Sequence, residues 1–139
     1  MDDIISRMLK FKGKKTLALL DVHAILHRAY HALPEFQSSK GEPTGALYGL
    51  CTMLIKLVKD IKPDYVAACY DLPEPTMRHE QYADYKAGRK QADTALVEQL
   101  ERSKDVFKAF HIPMYSSPGF EADDILGTIV EKLKNNKEI

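Results

Sequence analysis

Two short apolar runs, each ending in an acidic residue, constrain the fold of this chain more than any other feature. Residues 16–21 read TLALLD and residues 64–71 read DYVAACYD. Runs this apolar are typical of strands that are buried on both faces of a parallel sheet. A helical pattern lies between them, with Leu47, Leu50 and Leu54 on one helical face. The sequence therefore predicts an α/β fold, with a mostly parallel central sheet flanked by helices.

The predicted order is strand, two helices, strand, a charged segment, helix, strand and helix. Helices are predicted over residues 22–33, 46–59, 94–110 and 121–134, and the third strand over residues 112–117. Thr94 is the predicted cap of its helix. The 139 residues fit one domain. Residues 16–139 are predicted to form this domain, and a further strand would normally follow its last helix, so we expect a truncated form of a larger fold.

Composition excludes few function classes. Lys and Arg together number 20, as do Asp and Glu, so the net charge of zero is no sign of nucleic-acid binding. Cys51 and Cys69 lie in apolar runs without metal-binding spacing, which favours a reducing, intracellular compartment. No stretch has the length of a membrane span. Residues 1–15 form an amphipathic and basic extension, for which we predict docking or fraying rather than binding to a membrane surface.

Acidic residues follow all three predicted strands. Ligands of open α/β sheets bind outside the carboxyl ends of the strands, so these acids should converge at one edge. They are Asp21, Asp71, Glu121, Asp123 and Asp124. Clustered carboxylates repel each other unless a cation offsets them, and oxygen ligands alone favour Mg²⁺ or Mn²⁺. Without metal, Asp124→Asn is then expected to stabilise the fold. The alternative is that each acid caps a helix or occupies a turn.

The charged segment between the second strand and the next helix interleaves cations with aromatic residues. Arg78, Tyr82, Tyr85 and Lys86 follow spacings of three and four, which predicts one shared side of a helix. Such a surface suits a single-stranded nucleic acid, because bases stack on rings and phosphates pair with cations. A solvated surface helix is the alternative, and composition alone favours it.

Several motifs together resemble a known family. They are LLDVHAILHRAYHALP, SSKGEPTGALYGLCTMLIKLVKDIKPDYVAACYD, PTMRHEQYADYKAGR and IPMYSSPGFEADDILGT. From Leu17 to Thr128 they resemble, in order and spacing, the N-terminal part of the 5′ nuclease superfamily, specifically the 5′→3′ exonuclease domain of bacterial DNA polymerase I. The resemblance implies a PIN-like domain with a two-metal site that hydrolyses DNA at 5′ ends or flaps in replication and repair. It also implies a bacterial cytoplasmic protein associated with the nucleoid.

The resemblance assigns roles to individual residues. The five acids match the metal-site acids of the family. Arg78 and Lys86 match the cations that stabilise the scissile phosphate, and Tyr85 belongs to the same gateway for the 5′ end. The further expected DNA contacts are Tyr82 and Arg89 of this segment and Arg28 of the region HRAYHALP.

The sequence also departs from the family pattern. Val22 and His23 follow Asp21, where the family commonly has Gly-Ser or Gly-Asn. A TGDKD-like motif with two further aspartates, a helix–hairpin–helix element and a polymerase domain do not occur in these 139 residues. We therefore expect weak activity at most, dependence on a C-terminal half, and self-association. The alternatives are a non-catalytic nucleic-acid-binding remnant, a small PIN-type ribonuclease and a protein-interaction domain.

Overall fold

The computed structural model describes residues 15–137, so the predicted N-terminal extension lies almost entirely outside the described residues. Its centre is a parallel sheet of three strands in the order β1–β2–β3. The strands are β1 (Leu17–Asp21), β2 (Tyr65–Cys69) and β3 (Met114–Tyr115). The predicted α/β fold and its parallel sheet are confirmed, and each strand is shorter than its apolar run.

The register of the strands brings their carboxyl ends to one edge. Asp21, the last residue of β1, lies opposite Cys69, the last residue of β2. Tyr115, the last residue of β3, also pairs with Cys69. Because all three strands end at the same level, Asp21, Asp71 and the loop that follows β3 emerge from the same edge of the sheet.

The helices largely follow the sequence pattern. They are α1 (Val22–Ala32), α2 (Gly45–Lys56), α3 (Met77–Gln81), α4 (Thr94–Ala109) and α5 (Ala122–Leu133). The predicted cap of α4 is wrong, because Asp93 is the extended residue before the helix and Thr94 is already helical. A π-helical turn (Leu57–Ile61) follows α2 in place of the regular helix predicted there. Over residues 15–137, every helix is too short or too polar to cross a bilayer.

The core lies where α1, α2 and α4 pack against one another and against the sheet. Leu26 of α1, Leu50 and Leu54 of α2 and Phe107 of α4 are fully buried. Burying each such side chain contributes about 1.5–3 kcal/mol to folding. Helix α5 instead contacts β1 and β2, which places its first turn beside the carboxyl edge of the sheet.

A buried glutamine connects two of these helices. Gln99 of α4 is 1% exposed, and its Oε1 accepts hydrogen bonds from the backbone N–H groups of Ala46 (2.7 Å) and Leu47 (3.2 Å). These groups belong to the first turn of α2, where the side chain of Thr44 makes no capping bond. Gln99 therefore supplies the acceptor that the start of a helix requires.

Candidate metal and nucleic-acid site

Asp21 lies at the junction of β1 and α1. Its Oδ1 accepts a hydrogen bond of 3.0 Å from the backbone N–H of Ala24, so the side chain caps α1. An aspartate in this position satisfies one of the free N–H groups in the first helical turn. The capping alternative therefore applies to Asp21, whose other carboxylate oxygen takes part in none of the hydrogen bonds found among residues 15–137.

Asp71 connects the end of β2 to the start of α5. Its Oδ1 accepts a 2.6 Å hydrogen bond from the backbone N–H of Ala122. His23 lies on its other side, where Nδ1 accepts a hydrogen bond of 3.3 Å from the Asp71 N–H and lies 3.9 Å from Asp71 Oδ2. Burial lowers the pKa of His23, although Asp71 and Asp21 act in the opposite direction. The residue that departs from the family pattern thus contacts a predicted metal-site acid.

Glu121 and Asp124 begin α5 with a reciprocal cap. The backbone N–H of Glu121 donates to Asp124 Oδ2 at 2.9 Å, and the Glu121 side chain accepts from the Asp124 backbone. Glu121 is nonetheless 7% exposed as a residue, and it is the one buried charged residue among residues 15–137. Burying a carboxylate is costly unless cations or hydrogen-bond donors accompany it.

Three side chains from the segment after β2 supply those donors, and we call them the clamp (Arg78, Tyr85 and Lys86). Arg78 Nη1 lies 2.9 Å from Glu121 Oε2, and Arg78 Nη2 lies 2.6 Å from Asp124 Oδ1. The Tyr85 hydroxyl donates to Glu121 Oε2 at 3.0 Å, and Lys86 Nζ pairs with Glu121 Oε1. The three residues predicted to form the gateway therefore contact two of the predicted metal-site acids directly.

The clamp keeps both acids ionised. Hydrogen bonds from Arg78 are the main reason why the pKa of Asp124 is lowered. Burial favours the neutral form of Glu121, but hydrogen bonds from Lys86 and Tyr85 outweigh it and lower the pKa of Glu121 as well. The expected repulsion between these two acids is therefore offset within the chain, and the reason given for a stabilising Asp124→Asn change does not hold.

The five predicted acids do not form a complete metal site as they stand. Within residues 15–137, no three His, Cys, Asp or Glu side chains lie close enough together to hold an ion. Asp123 is exposed in the first turn of α5, and none of the side-chain contacts found in the described part of the chain involves it. The oxygen donors suit Mg²⁺ or Mn²⁺ by their chemistry, but their arrangement does not yet fit such an ion.

The predicted helix shared by Arg78, Tyr82, Tyr85 and Lys86 is wrong. Helix α3 ends at Gln81, because Tyr82 is extended (φ −132°, ψ 100°) and Lys86 is left-handed (φ 60°). Tyr85 and Lys86 reach Glu121 from turns rather than from a helical face. Tyr82 is instead 65% exposed. Arg28, on α1, and Arg89 are also exposed, and neither belongs to the clamp.

A cleft lies at this edge of the sheet, between the segment that follows β2 and the start of α5. Its volume is about 330 Å³, and its lining includes Asp71, Thr76, His79, Lys86 and Glu121. Thr76 and His79 form the cap of α3, in which the Thr76 N–H donates to His79 Nδ1 at 3.1 Å. Sequence reasoning assigned neither residue to the site, and the signal for the cap is weak because His79 stands where a capping box usually has Glu or Gln.

Fold and site together define a parallel α/β domain whose carboxyl edge gathers acidic side chains and the cations that pair with them. Residues 16–139 match the family described as "5′-3′ exonuclease, N-terminal resolvase-like domain". The chain belongs to this family.

The relatives that the chain matches are named 5′-3′ exonuclease or DNA polymerase I. A protein named 5′-3′ exonuclease from Aquifex aeolicus (strain VF5) is 41% identical over 118 residues, covering 85% of this chain and 41% of the relative. A DNA polymerase I from Chloroflexus aurantiacus (strain ATCC 29366 / DSM 635 / J-10-fl) is also 41% identical over 118 residues, covering 84% of this chain and 12% of the relative. The chain thus spans less than half the length of the relatives it matches.

Solved structures share the fold. The T5 D15 protein co-crystallised with metal ions has a TM-score of 0.60 at 24% identity, covering 84% of this chain and 44% of its own. T5 5′-exonuclease with bound zinc has a TM-score of 0.54 at 19% identity, covering 87% of this chain and 45% of its own. At these identities the comparison supports the architecture alone.

Proposed function

We propose that this chain contributes the N-terminal part of a divalent-metal-dependent 5′→3′ exonuclease or 5′-flap endonuclease. Its substrate would be DNA with 5′ ends or flaps, in replication and repair in the bacterial cytoplasm. Family membership and the name of the Aquifex aeolicus relative support the activity. The observation that carries it is the pairing of Arg78 and Lys86 with Glu121 at the carboxyl edge of the sheet, where Lys86, Glu121 and Asp71 line one cleft.

The clamp provides groups suited to a DNA phosphate. Arg78 and Lys86 now pair with carboxylate oxygens, and the same guanidinium and ammonium groups bind phosphate oxygens with similar geometry. Beside the cleft they would stabilise negative charge that develops on the phosphate during hydrolysis. The exposed ring of Tyr82 is available to stack on a base, and we propose Arg89 and Arg28 as further contacts to the DNA backbone.

We propose Mg²⁺ or Mn²⁺ as the cofactor, two ions in a complete enzyme, with ligands drawn from Asp21, Asp71, Glu121, Asp123 and Asp124. The oxygen-only donor set supports this choice of ion. No three acidic side chains among the described residues lie close enough together to hold an ion. Metal binding therefore requires that these side chains move closer together or that further ligands are added. We propose that those ligands come from a C-terminal half equivalent to the rest of the Aquifex aeolicus relative, with a polymerase domain beyond it in the relatives named DNA polymerase I.

A non-catalytic DNA-binding role is the second candidate. The dispersed acids favour it, because the clamp neutralises two of them without any metal. In that case the cleft would bind a phosphate but would not hydrolyse it.

A chimeric enzyme separates the two functions. This chain replaces the matched region of the Aquifex aeolicus exonuclease, and a 5′-flap DNA labelled at its 5′ end is incubated with the chimera and Mn²⁺. We expect metal-dependent cleavage that falls at least about tenfold in Arg78→Gln and not in Lys104→Gln, a control in an exposed ion pair on α4. A folded chimera that binds the flap without cutting it would support the non-catalytic role. The 139-residue chain alone is expected to cut little or not at all.

A further inference from the structure

Helix α1 displays two histidines that the proposed nuclease site does not use. His27 and His31 are four residues apart, which places them one above the other on the same face of the helix. Both are exposed, and their ring centroids lie 4.5 Å apart with an interplanar angle of 61°. The two imidazole rings therefore lie next to each other on a solvent-exposed face of α1.

Few groups compete for these rings. In the described part of the chain, the rings of His27 and His31 take part in ring contacts and in no hydrogen bond or ion pair. His31 also meets the edge of the Tyr30 ring at 5.2 Å, and Tyr30 is held by a 3.2 Å hydrogen bond to Asp93. The His31 ring therefore packs against Tyr30. The ring nitrogen atoms of His27 and His31 remain available to a ligand from solvent.

The spacing matches what a metal chelate requires. Two imidazoles that bind one ion through bonds of about 2.0–2.1 Å have ring centroids roughly 4.5–5 Å apart. Two histidines at positions i and i+4 of a helix supply such a pair of ligands in zinc-binding helices. Waters would complete the coordination sphere, because the face on which His27 and His31 lie is open to solvent.

We propose that His27 and His31 form a chelating site for nitrogen-seeking divalent ions, namely Zn²⁺, Ni²⁺ and Cu²⁺. Imidazole suits these ions, whereas Mg²⁺ requires oxygen ligands and would not bind here. The site is separate from the acids at the carboxyl edge of the sheet, and it does not depend on the proposed nuclease function. It would place a cation beside Arg28 on α1.

Calorimetric titration with nickel chloride tests the site. The untagged chain is titrated in excess MgCl₂, which occupies oxygen-rich sites, and is compared with His27→Ala, His31→Ala and the double variant. Losing either ring removes an intramolecular second bond, so we expect affinity to fall roughly 10²-fold in each single variant. His111→Gln, which removes an exposed histidine from a turn, is the control and should bind like the parent chain.

A second readout identifies the ligands directly. Substoichiometric Cu²⁺ should broaden the imidazole NMR signals of His27 and His31 before those of His79 and His111. Alanine favours helix at both positions, so unchanged thermal melts should show that the variants remain folded. Equal nickel affinity in the parent and both single variants, or simultaneous broadening of the His111 signal, would overturn the proposal.

Discussion

Asp123 and Asp124 occupy the same first turn of α5 and differ in their contacts. Asp124 binds Arg78 and caps Glu121, whereas Asp123 is exposed and takes no part in the clamp. Both carboxylates face the positive end of the helix dipole, which contributes about 0.3–1 kcal/mol in either case. The pair therefore separates the effect of the clamp from the effect of the dipole.

The first prediction concerns this pair. Asp124→Asn should lower the free energy of unfolding by about 1–2 kcal/mol, because it removes charged hydrogen bonds to Arg78 that solvent only partly screens. Asp123→Asn should change it by about 0.5 kcal/mol or less. Urea denaturation in metal-free buffer measures both. A more stable Asp124→Asn would show that repulsion between the acids outweighs the clamp.

The second prediction concerns the melting temperature of the chain at low pH. The pKa of Glu121 and of Asp124 lies below the ordinary values of 4.5 and 3.8 in the folded chain. A group with a lowered folded pKa stabilises the fold above its unfolded pKa and loses that effect as pH falls through the folded value. The melting temperature should therefore drop as pH falls from the ordinary values toward the lowered ones. Asp124→Asn should show a shallower drop, and parallel curves would contradict the assignment.

At the scale of elements, the hydrophobic pattern of a short segment predicts the helices and strands whose formation depends on residues within that segment. Helix α4 could be predicted because its buried residues, among them Leu96, Ser103 and Phe107, follow the helical period within one continuous segment. The strands could be predicted from their apolar runs and the common edge of the acids from the parallel order. These inferences need no knowledge of distant partners.

The clamp could not be predicted because its partners are far apart in sequence. Arg78 is 46 residues from Asp124, and Lys86 is 35 residues from Glu121. The helical spacing of residues 78–86 was a local signal, but tertiary ion pairs and the left-handed Lys86 override it. A left-handed conformation of a residue other than glycine costs about 1–2 kcal/mol, and Lys86 adopts it while its ammonium group pairs with Glu121.

The third prediction concerns this segment. Glu121→Gln removes the partner shared by all three members of the clamp, so Lys86, now half-buried, should become accessible to trypsin. Cleavage after Lys86 should accelerate roughly 5–30-fold, as expected for a loss of about 1–2 kcal/mol of local stability. Mass spectrometry of timed digests measures the rate. Glu131→Gln, in an exposed ion pair of the same helix, is the control, and equal acceleration there would refute the role of the clamp.

At the scale of the whole molecule, the described sheet is narrow. Strand β3 has two residues and pairs with β2 alone, so its outer edge carries backbone groups without a strand partner among residues 15–137. Such edges pair readily with other chains. The self-association expected from the sequence remains a prediction.

The fourth prediction tests that edge. Tyr115→Lys places a charge on the exposed side of β3 and should weaken association of the chain, because edge lysines oppose strand pairing. Tyr48→Lys makes the same chemical change on the exposed face of α2, away from the sheet, and should have no effect. Light scattering across a concentration series measures both. A parent chain that is monomeric at every concentration would contradict the prediction.

The hydrogen bond from the Ala122 N–H to Asp71 affects what can be inferred about the evolution of such domains. Asp71 holds the end of β2 to the start of α5, whatever chemistry its other carboxylate oxygen performs. A descendant that had lost hydrolysis would still need an acceptor there, since an unpaired N–H at that junction would cost about 1–3 kcal/mol. Selection for folding alone would thus favour a residue with an acceptor oxygen, so the presence of aspartate at this position in a distant relative would be no proof that the relative cuts DNA.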